Sequence, residues 1–126
     1  MDINEAVGAL IQSFRDAAIE KGEFHPDSKR DAKLHNTMAR AFAGLRGYGD
    51  EGQNAFRKLL SNDSDAVVGW VAAQLLYEHN LPEARNALKR IASGDGLLAF
   101  DAEITLEEYD KGRLGSPFGK YGKRAL

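Results

Sequence analysis

The chain has 126 residues, 43% of them hydrophobic and 29% charged, with a formal net charge of −2 at pH 7. These values fit one ordinary globular domain and give no global electrostatic argument for nucleic acid. The chain contains no cysteine, which excludes disulfides, thiolate chemistry and sulfur-ligated zinc. Its first residues are acidic where a secretory signal is basic, and no apolar run approaches the length that spans a bilayer. We therefore expect a cytoplasmic protein with no membrane partner.

The spacing of apolar residues predicts helices along most of the chain. The six predicted helices span residues 3–21, 29–46, 51–61, 65–79, 82–93 and 97–111. Asp2, three residues before Glu5, is placed to cap the first helix, and Asp50 is placed to cap the third. The predicted inward-facing residues of the sixth helix are Leu98, Ala102, Leu106 and Tyr109.

The fourth predicted helix differs from the others because it is apolar nearly all round. Only Gly69, Gln74 and Glu78 are left to face water. A helix of this kind is buried on several sides. We therefore expect it to lie in the middle of the molecule.

Two segments of the chain repeat each other at an offset of 32 residues. Residues 54–61 and 86–93 carry identical or same-class residues at every position, with Asn-Ala first and Ser last in both. A repeat of this period is typical of stacked helical arrays, in which each unit buries its apolar face against its neighbours. The sequence therefore predicts an all-α fold, a short α-solenoid of five to six helices.

The second repeat unit, over residues 64–93, resembles a short HEAT-like unit. The residues that carry this resemblance are Asp65, Val68, Ala72, Ala73, Leu76, Ala84, Ala87 and Leu88. With the segment 101–114, the chain looks like a family of small bacterial HEAT-like proteins of uncharacterised function, over residues 30–114. The resemblance implies a right-handed stack of helical hairpins and no catalytic residues. Some helical-repeat proteins of this size act as immunity partners for toxins, which adds an analogy for the role.

Charge is strongly segregated near the end of the chain. Residues 94–110 contain six acidic and no basic residues, and residues 111–126 contain five basic and no acidic ones. We divide the chain into a helical domain, 1–114, and a basic, glycine-rich tail, 115–126. The tail is expected to be flexible or to fold back on the acidic sixth helix. As an alternative, its aromatic and basic residues could stack on bases or meet phosphates; these are Phe118, Lys120, Tyr121, Lys123 and Arg124.

Two further sets of residues are candidates for binding a partner. Lys29, Lys33 and Arg40 form a basic stripe on the second helix, suited to an acidic protein or a nucleic-acid backbone. Trp70 and Tyr77, seven residues apart on the fourth helix, could anchor a partner in a groove. For both sets the structural alternative stays open, an ordinary solvated face for the cations and core packing for the aromatic residues.

Residues that might support catalysis or metal binding are scattered. His25, His35 and His79 have no second ligand at zinc-site spacing. Glu103 and Glu107 share one helical face, which fits a solvated surface or an acidic partner surface better than paired-carboxylate catalysis. The segment 115–120 does not have phosphate-loop spacing. We therefore predict no metal, no cofactor and no enzymatic activity.

These observations lead to two ranked hypotheses for function. The first is a non-enzymatic adaptor or inhibitor that binds a protein partner across its helical surface, because stacked helices present a rigid, extended surface. The second is a nucleic-acid-binding protein that uses the basic second helix and the basic aromatic tail. An uncapped end of the stack could also pair with another copy of the chain.

Overall fold

A computed structural model describes residues 2–23 and 27–123. The α-helices of this part of the chain are α1 (Ile3–Lys21), α2 (Ser28–Gly47), α3 (Gly49–Lys58), α4 (Asp65–His79), α5 (Pro82–Ala92) and α6 (Leu97–Asp110). Two 3₁₀ turns follow α3 and α6, at Leu59–Ser61 and Gly119–Gly122. The described residues form no strand, so the all-α prediction is confirmed.

The predicted N-terminal cap of α1 is confirmed, whereas the predicted cap of α3 is not. The Asp2 carboxylate caps α1 and accepts the Glu5 backbone N–H at 2.8 Å, as predicted. The predicted cap at Asp50 is wrong, because α3 already begins at Gly49 and Asp50 falls inside its first turn. Gly49 has a φ of 61°, a left-handed conformation that glycine adopts without a Cβ clash. This conformation starts α3 two residues earlier than the sequence suggested.

Helix α4 lies at the centre of the described structure, as its composition predicted. It packs against α1, α5 and α6 and against the 3₁₀ turn that follows α3. Val67, Val68 and Val71 are 0% exposed. Because α1 also packs on α2, and α5 on α6, α4 joins two helix pairs into one core.

The repeated segments occupy equivalent environments in the fold. Phe56 of α3 and its counterpart Leu88 of α5 are both buried, at 2% and 1% exposure. Leu59 and its counterpart Ile91 are buried as well. The matching residues therefore make matching contributions to the core, which is the physical reason for their similarity.

The residues after α6 are ordered against the core rather than against the acidic helix. We call residues 115–123 the C-terminal strap. Its Phe118 is 2% exposed, and the centroid of its ring lies 5.6 Å from that of Phe14 and 5.2 Å from that of Phe42. The strap also packs on α2 through its 3₁₀ turn. The expectation of a flexible tail, or of one folded on α6, is wrong for these residues, because burying Phe118 fixes the strap.

A buried polar network holds the strap on α4. Gln74 was expected to face water, yet it is 0% exposed because the strap covers it. Its amide donates to the Gly122 carbonyl at 2.8 Å, and its carbonyl oxygen accepts from the Ser116 hydroxyl at 2.6 Å. A Cβ at position 122 would overlap both side chains, so this close approach requires glycine.

Candidate protein-binding site

Helix α6 has apolar residues on two opposite faces. Its inner face packs Ala99 and Ala102 into the protein, at 7% and 4% exposure. Its outer face carries three large apolar side chains that remain exposed, Leu97 at 80%, Phe100 at 57% and Ile104 at 40%. We call these three residues the α6 apolar stripe. Isolated apolar residues are common on protein surfaces, but several together on one helix are typical of an interaction site.

One predicted inward-facing residue of α6 is displaced from the core. Leu98 is 37% exposed, whereas Ala102, Leu106 and Tyr109 are buried or partly buried as predicted. Leu98 is the second residue of α6, close to the N-cap at Gly96, where fewer neighbouring residues cover it than in the middle of the helix. It lines a surface groove instead of the core.

Carboxylates flank the α6 apolar stripe. Asp101, Glu103 and Glu107 are exposed and form no ion pair with any residue in 2–23 or 27–123. Glu108 is paired with Arg113 at 3.1 Å. Asp110 accepts a hydrogen bond from Arg85 at 2.8 Å, which lowers the pKa of the carboxyl. The stripe therefore lies in a surface of unneutralised negative charge.

A groove of about 540 Å³ opens beside α6, between α4 and the start of the strap. Its apolar walls include Trp70, Ala73, Leu88, Ile91, Leu98, Ala102, Ile104, Leu114 and Pro117. Its polar lining consists of Lys21, Asp31, Asp65, Asp101 and Thr105. A concave apolar surface with a few polar groups is the usual form of a binding site. Since Ile104 belongs to both, the groove and the stripe are continuous.

Among the described residues that line the groove, the one cation, Lys21, is already neutralised. Lys21 Nζ lies 2.6 Å from Asp31 Oδ2 and 5.7 Å from the centroid of the Trp70 ring. Its side chain is only 13% exposed. Lys21 therefore supports the wall formed by Trp70, and the groove presents carboxylates rather than a free cation to a partner.

His35 packs behind the same wall. The centroid of its ring lies 5.4 Å from that of Trp70, in an edge-on arrangement. Burial and the nearby charge of Lys21 lower the pKa of His35 below its ordinary value of 6.5. Its hydrogen bond with the Pro117 backbone opposes this shift only in part. At neutral pH the ring is therefore neutral and acts in packing.

The strap packs on the helix that carries the basic stripe, and both bear exposed cations. Lys29, Lys33 and Arg40 are exposed on α2, and Lys120 and Lys123 are exposed on the strap that packs on this helix. Arg46 of α2 fixes the strap by donating to the Lys123 carbonyl at 2.8 Å. None of the five exposed cations forms an ion pair within the described residues. They constitute a second charged surface, of opposite sign to α6.

The predicted aromatic residues do not form one site. Trp70 lines the groove, but Tyr77 does not. Tyr77 lies near Arg46 instead, where its charge interaction opposes the lowering of the Arg46 pKa by burial. Tyr121 is partly buried, with Lys120 Nζ 5.3 Å from its ring centroid. Arg124 lies outside the described residues.

The scattered titratable residues do not assemble into a metal site in the described part of the chain. No group of three or more His, Asp or Glu residues there is close enough to hold a metal ion. A smaller cavity of about 310 Å³ contains Arg46, Glu78 and His79. Glu78 forms an ion pair with Arg46, and its Oε2 lies 2.9 Å from His79 Nε2. His25 lies outside the described residues.

No protein-family model, curated protein or solved structure matches this chain. Among the residues that the structure describes, no helix has the length and apolar character needed to cross a membrane. The site must therefore be interpreted from its own chemistry.

The α6 apolar stripe was not among the predicted sites, because the outer face of this helix was expected to be acidic and solvated. The signal was present, because Leu97, Phe100 and Ile104 are spaced at i, i+3 and i+7 opposite the inward-facing residues. The carboxylates between these residues make the same stretch of sequence resemble a solvated acidic face.

Proposed function

We propose that the protein is a non-enzymatic, protein-binding helical-repeat module whose partner docks on α6. The observation that carries this proposal is the α6 apolar stripe, which exposes Leu97, Phe100 and Ile104 beside an apolar groove. Exposing these side chains costs free energy that a partner would recover by burying them, at about 25 cal/mol per Å². Trp70 in the groove is suited to serve as an aromatic anchor point.

The proposal includes a HEAT-like arrangement for the helices and a cytoplasmic location. The 32-residue repeat, with equivalent burial of its two copies, supports a stacked array. In such arrays the end units need a polar outer face to stay soluble. The outer face of α6 carries exposed apolar residues and does not meet that requirement. A partner that covers it would meet the requirement, which supports its assignment as the docking end.

The test is affinity capture with the full chain from a lysate of the organism that encodes it. We expect a stoichiometric protein partner that is retained by the native chain and lost by the double variant L97S/F100S. The matched control is K33S/R40S, which changes the same number of exposed residues on α2 and should retain the partner. A partner that is lost only with K33S/R40S would move the docking surface to α2.

A second candidate function is nucleic-acid binding. The observation that favours it is the set of exposed cations on α2 and on the strap that packs on this helix, which adds Lys120 and Lys123 to the basic α2 stripe. Affinity for single-stranded or duplex nucleic acid should then fall steeply with added salt. The K33S/R40S variant should bind more weakly and L97S/F100S should bind normally. Absence of binding at low salt would eliminate this candidate.

A further inference from the structure

We propose that the partner segment on α6 is an amphipathic α-helix whose apolar seam is flanked by lysine and arginine. This inference rests on the proposed protein-binding function and adds the chemistry of the partner. It depends on the spacing of the exposed apolar residues, on the charge of the residues between them, and on what else could cover the stripe.

The spacing of the stripe matches that of a helix-pairing seam. Leu97, Phe100 and Ile104 follow the a, d, a pattern of a heptad, and they project opposite the buried Ala99 and Ala102. The stripe extends about 10 Å along α6, at about 1.5 Å per residue. A partner helix of two to three turns covers this length. The described residues contain no strand, so they offer no sheet edge to which an extended peptide could add.

The flanking charges select a basic partner. With the stripe at a and d, Asp101 and Glu108 fall at e positions and Glu103 at a g position. Glu107 takes the next d position and ends the apolar seam. The whole of α6 contains no lysine or arginine. Because residues at e and g determine which helices pair, the partner should carry cations at its own e and g positions.

The other segments of this chain do not fit the stripe. A second copy related by two-fold symmetry would place Asp101 and Glu103 of one copy beside carboxylates of the other, which is unfavourable. The basic surface of α2 supplies Lys29, Lys33 and Arg40 but presents polar residues between them, Asn36 and Thr37. It cannot cover Phe100 with apolar surface. A separate protein with a basic amphipathic helix satisfies both the charge and the apolar requirement.

The test uses three labelled synthetic peptides of about three heptads, the length at which a paired helix becomes stable. The first has Leu at a and d with Lys at e and g, the second has Leu at a and d with Glu at e and g, and the third has Ser at a and d with Lys at e and g. Binding of each to the full chain is measured by fluorescence anisotropy at low and high salt. We expect the Leu/Lys peptide to bind at least about tenfold more tightly than either other peptide, with weaker binding at high salt.

Three variants of the full chain locate the binding. F100S should weaken binding of the Leu/Lys peptide at least about tenfold, because Phe100 lies at the centre of the seam. The charge-reversed D101K/E103K should prefer the Leu/Glu peptide instead, which simple loss of structure cannot produce. K33S/R40S on α2 is the control and should bind like the native chain. Circular dichroism checks that each variant is folded.

The remaining outcomes separate this inference from the proposed function. Equal binding of the Leu/Lys and Leu/Glu peptides would overturn the charge selection while leaving α6 as a helix-docking surface. No binding of any peptide, with a captured partner still lost in L97S/F100S, would overturn the helical partner but keep the proposed function. A dimer in sedimentation that F100S dissociates would place a second copy on the stripe and overturn the inference.

Discussion

Phe118 and Phe100 are the same residue type in opposite environments, and they show how position determines the role of a side chain. Phe118 lies among the rings of Phe14 and Phe42 at 2% exposure, whereas Phe100 is 57% exposed on α6. The edge-to-face pair that Phe118 forms with Phe14 adds to the stabilisation from apolar burial. The first residue therefore contributes to folding, and the second is available for a partner.

Replacing Phe118 by alanine should lower the free energy of unfolding by about 3–5 kcal/mol, because it leaves a cavity in the aromatic cluster. The matched control is Phe100→Ala, which should change it by less than about 0.5 kcal/mol, as exposed positions usually do. Urea denaturation followed by circular dichroism measures both. Equal losses for the two variants would contradict the burial of Phe118.

His35 should make stability depend on pH on the acidic side of neutrality. Burial lowers its pKa in the folded protein below the ordinary value of 6.5, so the unfolded chain binds the proton more tightly. The associated stability is complete above pH 6.5 and is lost as the pH falls from there toward the lowered folded pKa. Asp31 opposes the shift, and Lys21 reinforces it.

His35→Gln should flatten this pH dependence, since glutamine keeps an N–H donor near the Pro117 carbonyl but does not titrate. Urea denaturation at several pH values between neutral and mildly acidic provides the measurement. Asn36→Gln, a change at an exposed position of the same helix that removes no titratable group, serves as the control and should retain the native slope. An unchanged slope in His35→Gln would mean that other groups cause the acid sensitivity.

At the scale of elements, the strap differs from the helices in what holds it. Each helix is supported by its own backbone hydrogen bonds and an apolar face, whereas the strap depends on Phe118 and on hydrogen bonds from Gln74 and Arg46. An isolated strap has no reason to adopt this conformation. Its order is a consequence of the core that it completes.

A chain that ends at Leu114 should therefore lose at least as much stability as Phe118→Ala, about 4 kcal/mol or more. It lacks the buried Phe118 ring and also the hydrogen bonds that the strap makes with Gln74 and Arg46. A chain that ends at Lys123 retains every described contact of the strap and is the control. Thermal and urea unfolding compare the two. If both chains were equally stable, the packing of the strap against α2 and α4 would be wrong.

The helices were predictable from the sequence and the strap was not, for a physical reason. Apolar spacing along a helix is a local pattern, and it located α1 to α6 to within two residues once the 3₁₀ turn is counted with α3. The position of the strap depends on contacts between Phe118 and residues far away in sequence, such as Phe14. Gln74 was misplaced for the same reason, since its burial depends on the strap that covers it.

At the scale of the whole molecule, α4 makes the two helix pairs one folding unit. Its Val67, Val68 and Val71 have no exposed surface because α4 packs against helices from both pairs. Removing either pair would expose this helix. The core is therefore shared rather than divided between two halves.

Unfolding should accordingly be a single cooperative transition. Trp70, the only tryptophan, reports on the centre of the molecule, and far-UV circular dichroism reports on all helices. We expect the same urea midpoint from both signals. Two separated midpoints would show that one helix pair unfolds before the other.

The candidate binding surface was only partly predictable from the sequence, because it is formed by residues that are far apart along the chain. The sequence indicated the acidic α6 and the basic stripe of α2 as separate features. It did not indicate that the strap adds Lys120 and Lys123 to the basic surface, or that Trp70 and Leu98 line one groove. Those juxtapositions require the packing of α4 and the strap.

The carboxylates around the α6 apolar stripe also have a consequence for the protein in concentrated solution. An exposed apolar seam on a surface helix invites aggregation, and like charges beside it act as gatekeepers that hold copies apart. Asp101, Glu103 and Glu107 carry no compensating partner among the described residues, so their repulsion is available in full. Added salt screens this repulsion, so copies of the protein can approach each other through the apolar seam. The colloidal solubility of the protein is thus tied to the same residues that, in our proposal, select its partner.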